Sequence, residues 1–223
     1  VENSYLIADD LSTNGVFPKA WIREKNSFAL LKDGNSRAVK NEILASKICR
    51  CFDCRQVLYE ESIFDGQKVS KSRIITSVDY SMVSMEAFEI YAANHDIHVM
   101  DFVLELDAYS YYMMNLLDYL TGNTDRHWGN WGFLVDNRTN QPVRLFDLMD
   151  LNQTFLAYDT PDGANCMTTG NRKMSQREAA VEAVKKIGLN QRNEIKDEWF
   201  KGRDKEREMF WNRFGILKEQ WKA

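Results

Sequence analysis

Residues 123–130 (Asn-Thr-Asp-Arg-His-Trp-Gly-Asn), with Leu-Met-Asp at 148–150, are the stretch that decides the fold. Asp125 is followed five residues later by Asn130, and about twenty residues after that by Asp150. ATP-dependent phosphoryl transfer needs such a set: one acid to orient and deprotonate the attacking hydroxyl, and an amide with a second acid to hold magnesium against the phosphates. The spacing predicts a kinase with Asp125 as catalytic base.

A β-hairpin is predicted to join the two metal ligands of this set. Residues 131–136 and 143–149 read as strands, and residues 137–142 between them are rich in turn formers. Such a hairpin would place Asn130 almost opposite Asp150, where the Cβ atoms of paired residues lie about 4.5–5.5 Å apart. An amide and a carboxylate oxygen held in this way can share one Mg²⁺.

Asp147 is the alternative metal ligand. In the same hairpin it would lie nearer Gly132, displaced along the strand from Asn130. Asp150 is therefore the favoured acid.

Composition and charge are ordinary for an enzyme domain. The chain has 223 residues, of which 44% are hydrophobic and 28% charged. A net charge of −4 argues against direct binding of nucleic acid, which favours a basic surface. No apolar run is long enough to span a membrane and no signal peptide is visible, so the sequence predicts a cytoplasmic protein without membrane contact.

Three cysteines, Cys49, Cys51 and Cys54, are close enough in sequence to suggest a zinc site. However, no histidine lies nearby, and Cys166 is more than a hundred residues away. We therefore interpret the four cysteines as reduced thiols rather than metal ligands.

The chain changes character near residue 77. The first part mixes one helix with short β-like runs, and the later part is mostly helical. This order predicts an α+β, bilobal protein kinase-like fold, with a small β-rich N-lobe at 1–77, a mainly helical C-lobe at 78–223 and a hinge near 77–81. The predicted strands of the N-lobe are 6–8, 20–22, 28–32 and 73–76.

Three helices are predicted in the C-lobe. The first spans residues 102–120, with Asp101 as its N-cap and Gly122 as its breaker. The second spans 176–187 and opens with a capping box formed by Ser175 and Glu178. The third spans 196–217, where aromatic and charged residues alternate.

Lys32 and Glu42 are predicted to form an ion pair in the N-lobe. Lys32 ends an apolar strand, and Glu42 lies on the inward side of the following helix, where a carboxylate is costly unless it is paired. Such a pair would fix the lysine ammonium against nucleotide phosphates. The alternative is a solvated strand end and a partly exposed glutamate.

Residues 12–19 (Ser-Thr-Asn-Gly-Val-Phe-Pro-Lys) form a candidate phosphate loop. The single glycine, Gly15, would let backbone N–H groups face the nucleotide. An ordinary surface turn is the alternative interpretation.

The string Asn-x-Asp-x-His-x-x-Asn at 123–130 resembles the HipA-like protein kinases, part of a wider group that includes the phosphatidylinositol kinases. By this resemblance Lys32 is the ATP-contacting lysine, Glu42 the helix glutamate, and Asp150 the acid that replaces the Asp-Phe-Gly aspartate of ordinary protein kinases. The matching phosphate loop would contribute Ser12, Thr13, Asn14, Gly15 and Lys19.

The resemblance implies phosphorylation of serine or threonine in a protein, using ATP and Mg²⁺. It also implies a possible antitoxin-like regulatory partner, and the position of Ser12 and Thr13 suggests autophosphorylation. Two alternatives remain: a phosphatidylinositol or small-molecule kinase with the same core, and a catalytically silent binding module. Residues 196–217 mix acids and bases and make a poor membrane-facing segment.

Two residues of the catalytic string keep alternative roles. His127 is a candidate catalytic residue that braces Asp125, or else a packed core histidine. Arg126 either pairs with a phosphorylated side chain or forms a structural salt bridge.

Overall fold

The computed structural model describes residues 18–25, 27–33, 36–156, 160–170 and 173–222. The predicted strand at 6–8 and most of the candidate phosphate loop, including Ser12, Thr13, Asn14 and Gly15, lie outside the described residues. Lys19 lies inside them.

The first sheet is a four-stranded antiparallel sheet in the order β1-β2-β4-β3. Helix α1 follows β2 in the chain and packs on β3 and β4. Ala45 and Ile48 on its inner face are completely buried. The bounds are β1 Lys19–Glu24, β2 Ser27–Lys32, α1 Ser36–Cys49, β3 Tyr59–Phe64 and β4 Gln67–Arg73.

Strands β3 and β4 were not among the predicted elements. Asp65 and Gly66 form the two-residue turn between them, both with positive φ, as such hairpin turns require. The strand predicted at 73–76 is wrong beyond Arg73, because the chain leaves the sheet there and Ile74 only donates one hydrogen bond to the carbonyl of Phe28.

A second antiparallel sheet contains β5 (Tyr80–Ser84), β6 (Gly132–Asp136) and β7 (Gln141–Leu145), in that order. The predicted hairpin is confirmed as β6 and β7, but the second predicted strand is wrong beyond Leu145, and Gln141 and Pro142 belong to β7 rather than to the turn. Strand β5 is not predicted by the sequence, and it begins within the predicted hinge at 77–81. It brings the chain that follows the first sheet into the second one.

The helices of the second part are α2 (Met85–Ala93), α3 (Val99–Thr121), α4 (Gln176–Ile187) and α5 (Asp204–Lys222). The predicted capping box of α4 is confirmed. The N-cap of α3 is His98 and not Asp101, which is already inside the helix. The single helix predicted at 196–217 is wrong at its start, where residues 197–200 form a separate 3₁₀ turn.

Helix α3 is kinked at Asp107, which has the non-helical angles φ −156° and ψ 62°. The Asp107 carboxylate accepts a hydrogen bond of 3.2 Å from the N–H of Ser110, so it caps the second half of the helix. It also accepts a bond of 3.1 Å from the N–H of Leu145 on β7. The kink therefore joins α3 to the second sheet.

The core runs through α3, α4, α5 and the second sheet, and it reaches α1 through the connector at 50–58. Val57 and Arg55 of this connector exchange backbone hydrogen bonds of 2.9 and 3.0 Å with Leu148. The result is a mixed α+β fold with a small β-rich first part and a mainly helical second part. Within the described residues, no helix is both long and apolar enough to cross a membrane.

Candidate active site

The loop at 123–130 starts where α3 ends in a Schellman motif. Gly122 adopts the left-handed conformation, with φ 63°. Its N–H donates to the carbonyl of Tyr119 (3.2 Å), and the N–H of Asn123 donates to that of Asp118 (2.9 Å). The long, buried helix thus delivers the loop from a rigid end.

Arg126 anchors this loop to the rest of the protein. Its buried guanidinium forms two hydrogen bonds to the carboxylate of Asp118, at 2.8 and 3.0 Å. The remaining nitrogen donates to the carbonyls of Asn130 (2.8 Å) and Met149 (2.5 Å). The Arg126 side chain therefore connects α3, the loop and the segment before Asp150. Of the two roles predicted for Arg126, the structural salt bridge is the one observed.

Asp125 and Asn130 lie side by side in the loop. The side-chain amide of Asn130 donates to the carbonyl of Asp125 (2.8 Å) and approaches its carboxylate at 3.4 Å. The Oδ1 atom of Asn130 accepts no hydrogen bond from any described residue, which leaves an oxygen available to a ligand. The Asp125 side chain is 46% exposed, so it can meet a substrate from solvent.

His127 is not a packed core histidine, because its side chain is 47% exposed. Its Nε2 lies 3.9 Å from a carboxylate oxygen of Asp125, and its Nδ1 accepts a hydrogen bond of 3.0 Å from the N–H of Gly129. Partial burial raises the pKa of Asp125 above its ordinary value, while the charge of His127 opposes that rise. This carboxylate is therefore more basic than a free aspartate.

A second cluster of polar side chains forms around Lys32 at the end of β2. Its ammonium lies 2.8 Å from Glu42 on α1 and 2.8 Å from Asp150. Glu42 is 1% exposed and also accepts a hydrogen bond from Ser70 on β4. The predicted ion pair is thus present, and it extends to Asp150.

The cluster holds Lys32 in its charged form. Burial by itself lowers the pKa of this lysine, but the adjacent Tyr59, Glu42 and Asp150 outweigh burial and raise it above the ordinary value. Burial would raise the pKa of Asp150, yet Lys32 and Arg126 lower it. Both groups of this pair therefore remain ionised at neutral pH.

Asp150 reaches the cluster by a route that differs from the predicted one. Strand β7 ends at Leu145, and the chain then leaves the hairpin, so Asp150 is not paired with Asn130 across a ladder. Asp150 itself has a φ of 55°, and its N–H donates to the hydroxyl of Tyr59 (3.0 Å). Arg126, rather than hairpin register, links the Asn130 and Asp150 segments.

Asp147, the alternative metal ligand, is not brought to this cluster. Its carboxylate is bound by Arg144 at 2.6 Å, and it faces a different cavity, lined also by Tyr109 of α3. Lys19, in contrast, lies directly across the β1–β2 ladder from Lys32. Burial and the charge of Lys32 lower the pKa of Lys19.

Besides Asp118, three residues of the site are not predicted from the sequence. Tyr59 and Ser70 contact Asp150 and Glu42 from β3 and β4, and the Asp-Gly turn between these strands was the signal that could have revealed them. Gln176, the first residue of α4, donates to the carbonyl of Asn123 and accepts from the N–H of Ala164 (3.0 Å). No local pattern marks it.

No protein-family model and no curated protein sequence matches the chain. Among solved structures, the proinflammatory kinase CtkA of Helicobacter pylori is similar, with a TM-score of 0.71 and 15% identity over 96% of this chain and 94% of that chain. HipA of the Shewanella oneidensis MR-1 toxin–antitoxin system, solved with HipB and operator DNA, is also similar. It has a TM-score of 0.55 and 12% identity, over 96% of this chain and 67% of that chain. The chain therefore has the fold of the HipA and CtkA kinases, and the resemblance identified at residues 123–130 is confirmed at the level of the fold.

Proposed function

We propose that this protein is an ATP- and Mg²⁺-dependent kinase that transfers the γ-phosphate to a serine or threonine hydroxyl of a protein. The observation that carries the proposal is the junction at Lys32, whose ammonium binds Glu42 and Asp150 at once. Arg126 ties the segment of Asp150 to the loop that holds Asp125. Hydrogen bonds thus link the segments that carry the proposed nucleotide-binding cation, the proposed metal-binding acid and the proposed base.

The nucleotide would bind between the N-lobe (1–77) and the C-lobe (78–223), with its phosphates beside Lys32. This lysine keeps its charge because two carboxylates surround it. Lys19 lies across the ladder on the neighbouring strand, so it provides a second cation for the phosphates. The proposal also includes a phosphate-binding loop, formed by Ser12, Thr13, Asn14 and Gly15.

Asn130 and Asp150 are the proposed magnesium ligands. Asn130 Oδ1 and the second carboxylate oxygen of Asp150 accept no hydrogen bond from described residues, and Mg²⁺ prefers such oxygen ligands. No group of three acidic, histidine or cysteine side chains among the described residues forms a metal site by itself. Two ligands suit a Mg²⁺ that also binds substrate phosphates, whose charge it would neutralise.

Asp125 is the proposed general base. Its raised pKa improves its ability to accept the proton of a substrate hydroxyl as the oxygen bonds to the γ-phosphorus and ADP leaves. Asn130 holds the backbone of Asp125, and His127 stands beside its carboxylate. Both contacts fix the direction in which the base faces the acceptor.

The decisive experiment is transfer of labelled γ-phosphate from Mg-ATP to the protein itself and to a generic basic protein. We expect Asp125→Asn to lower transfer by at least about 100-fold, the lower end for loss of a positioned base, while nucleotide affinity measured by calorimetry is retained. Asp204→Asn, an exposed acid on α5, is the matched control. Wild-type transfer rates in Asp125→Asn would contradict the assignment.

The acceptor and the partner are tested separately. Label on serine or threonine of an added protein supports the proposed acceptor, and magnesium-dependent ATP binding without label points to a different one. An antitoxin-like regulatory protein is included in the proposal because the S. oneidensis HipA structure contains HipB. If a candidate regulatory protein from the organism that encodes this kinase abolishes phosphate transfer when added, that result would support the proposed partner.

A further inference from the structure

The surface beside Asp125 is bordered by Glu86, the second residue of α2. The N–H of Glu86 donates to the carbonyl of Trp128 (3.1 Å), so the start of α2 is attached to the catalytic loop. A Cβ placed on Gly129 would lie 3.5 Å from Glu86 Oε2 and 2.9 Å from the ring of His127. Glu86 and His127 therefore border the same point of the loop, and His127 in turn lies 3.9 Å from Asp125.

The carboxylate of Glu86 is exposed, and it forms no ion pair or hydrogen bond with any described residue. Helices α2 and α3 contain no lysine or arginine. A negative charge near the start of a helix is favourable, so the fold accepts Glu86 without a cationic partner. This carboxylate is therefore available to a cation on another molecule.

Met167 borders the same loop from the segment between Asp150 and α4. Its side chain is 46% exposed, although its neighbours Cys166 and Thr168 are only 5% and 1% exposed. The carbonyl of Met167 accepts a hydrogen bond of 2.9 Å from the indole N–H of Trp128. An apolar side chain thus projects into solvent next to the catalytic loop.

Buried hydrogen bonds hold Met167 in this position. The side-chain oxygen of Asn115 on α3, a residue that is 4% exposed, accepts a hydrogen bond from the hydroxyl of Thr168. The thiol of Cys166 lies 3.5 Å from the same oxygen, and the backbone N–H of Cys166 donates to the carbonyl of Met174 (2.8 Å). Because satisfied, buried polar networks are rigid, Met167 has a fixed place relative to the loop.

We propose that Glu86 and Met167 determine which protein segments are phosphorylated: Glu86 binds a lysine or arginine of the acceptor segment, and Met167 contacts an apolar side chain of the same segment. His127 alone separates Asp125 from the side chain of Glu86. Since an extended segment advances about 3.3 Å per residue, the cation should lie within about three positions of the acceptor hydroxyl. The inference rests on the proposed kinase function and names its acceptor class, a basic and partly apolar segment.

The test uses serine peptides that differ only at two flanking positions, one with arginine or glutamate and the other with leucine or glycine, each made in both orders. Peptide binding is measured by fluorescence anisotropy with a non-hydrolysable ATP analogue, and transfer of labelled phosphate is measured separately. We expect the arginine peptides to bind about two- to tenfold more tightly than the glutamate peptides, because one exposed attraction replaces one repulsion. The leucine peptides should also bind more tightly than the glycine peptides.

Glu86→Lys should reverse the charge preference, a result that general damage to the fold would not produce. Met167→Gln keeps the length of the side chain but makes it polar, so it should remove the preference for leucine and keep the preference for arginine. Glu219→Lys makes the same charge change at an exposed acid on α5, and both preferences should persist in it. Circular dichroism and thermal unfolding check the fold of each variant.

The two readouts separate this inference from the proposed activity. Transfer of label without a charge preference, or an arginine preference that persists in folded Glu86→Lys, would overturn the inference and leave the kinase proposal standing. A leucine preference that persists in folded Met167→Gln would overturn the role of Met167. Peptide binding with the expected preferences but without any transfer would contradict the kinase proposal alone, and absence of both binding and transfer would overturn both.

Discussion

Arg126 and Asp118 form a two-point ion pair in the interior, with hydrogen bonds of 2.8 and 3.0 Å and side chains 3% and 5% exposed. The pair orients the guanidinium so that its free nitrogen reaches the carbonyls of Asn130 and Met149. A planar fork with several fixed donors can do this, and a single ammonium cannot. The relative position of the segments that carry Asp125 and Asp150 thus depends on one side chain.

Arg126→Lys should therefore be destabilising although the charge is kept. The lysine leaves at least one buried carbonyl or carboxylate oxygen unsatisfied, at a cost of about 1–3 kcal/mol each. Urea unfolding measures the loss. Arg138→Lys, at an exposed arginine 3.9 Å from Asp79, is the control and should leave stability unchanged. Equal stability of both variants would contradict the role given to Arg126.

Lys32→Met should destabilise the protein by about 3–5 kcal/mol, because it leaves the carboxylate of Glu42 buried and uncompensated. Adding Glu42→Gln should restore much of this free energy, since the amide can still bond to Ser70. Lys68→Met breaks an exposed lysine–glutamate pair and should change stability by less than about 1 kcal/mol. A double variant no more stable than Lys32→Met would argue against a direct pair.

The acid limb of the pH–rate profile should lie above the ordinary aspartate pKa of about 3.9, because burial raises the pKa of Asp125. His127 lowers that pKa, so His127→Gln should move the limb further toward higher pH. His95→Gln, at an exposed histidine two residues after the end of α2, is the control. A limb that does not move, or moves to lower pH, would show that His127 does not act on Asp125.

Gln176→Leu should lower phosphoryl transfer more than it lowers nucleotide affinity. The glutamine joins the carbonyl of Asn123 to the N–H of Ala164, whereas Lys32 and Asp150 are not in contact with it. A displacement of about 1 Å at a reacting group can cost on the order of 100-fold in rate. Steady-state kinetics and nucleotide titration separate the two effects, with Gln141→Leu at the exposed start of β7 as control.

Gly132→Ala should disrupt the second sheet. A Cβ at this position would lie 2.0 Å from the carbonyl oxygen of Val83 on β5, a backbone atom that cannot move without shifting the strand. We expect a loss above about 3 kcal/mol, beyond ordinary overpacking. In Gly215→Ala the new methyl meets nothing within 4 Å, so this helical substitution should stabilise by about 0.5–1 kcal/mol. Thermal unfolding distinguishes the two.

Local patterns predicted the elements whose ends carry strong signals. The capping box at Ser175 and Glu178 opens α4, and Gly122 ends α3, because both depend on hydrogen bonds within a few residues. Strand β5 is not predicted because its pairing partner β6 comes from a distant part of the chain. Strands β3 and β4 pair with each other across the local Asp65–Gly66 turn, but their sequences alternate poorly. The kink at Asp107 is not predicted either, because a hydrogen bond from the distant residue Leu145 stabilises it.

The sequence by itself determined the bilobal α+β fold class and the set of chemical groups, because the spacing from Asp125 to Asn130 and the apolar strand before Lys32 are local features. Only the tertiary structure decided how these groups meet. Asp150 contacts Lys32, 118 positions earlier, because the chain leaves the sheet after β7 and Arg126 binds the carbonyl of Met149. Asp147, only three residues earlier, binds Arg144 instead. Such choices depend on packing between distant segments, which local spacing does not specify.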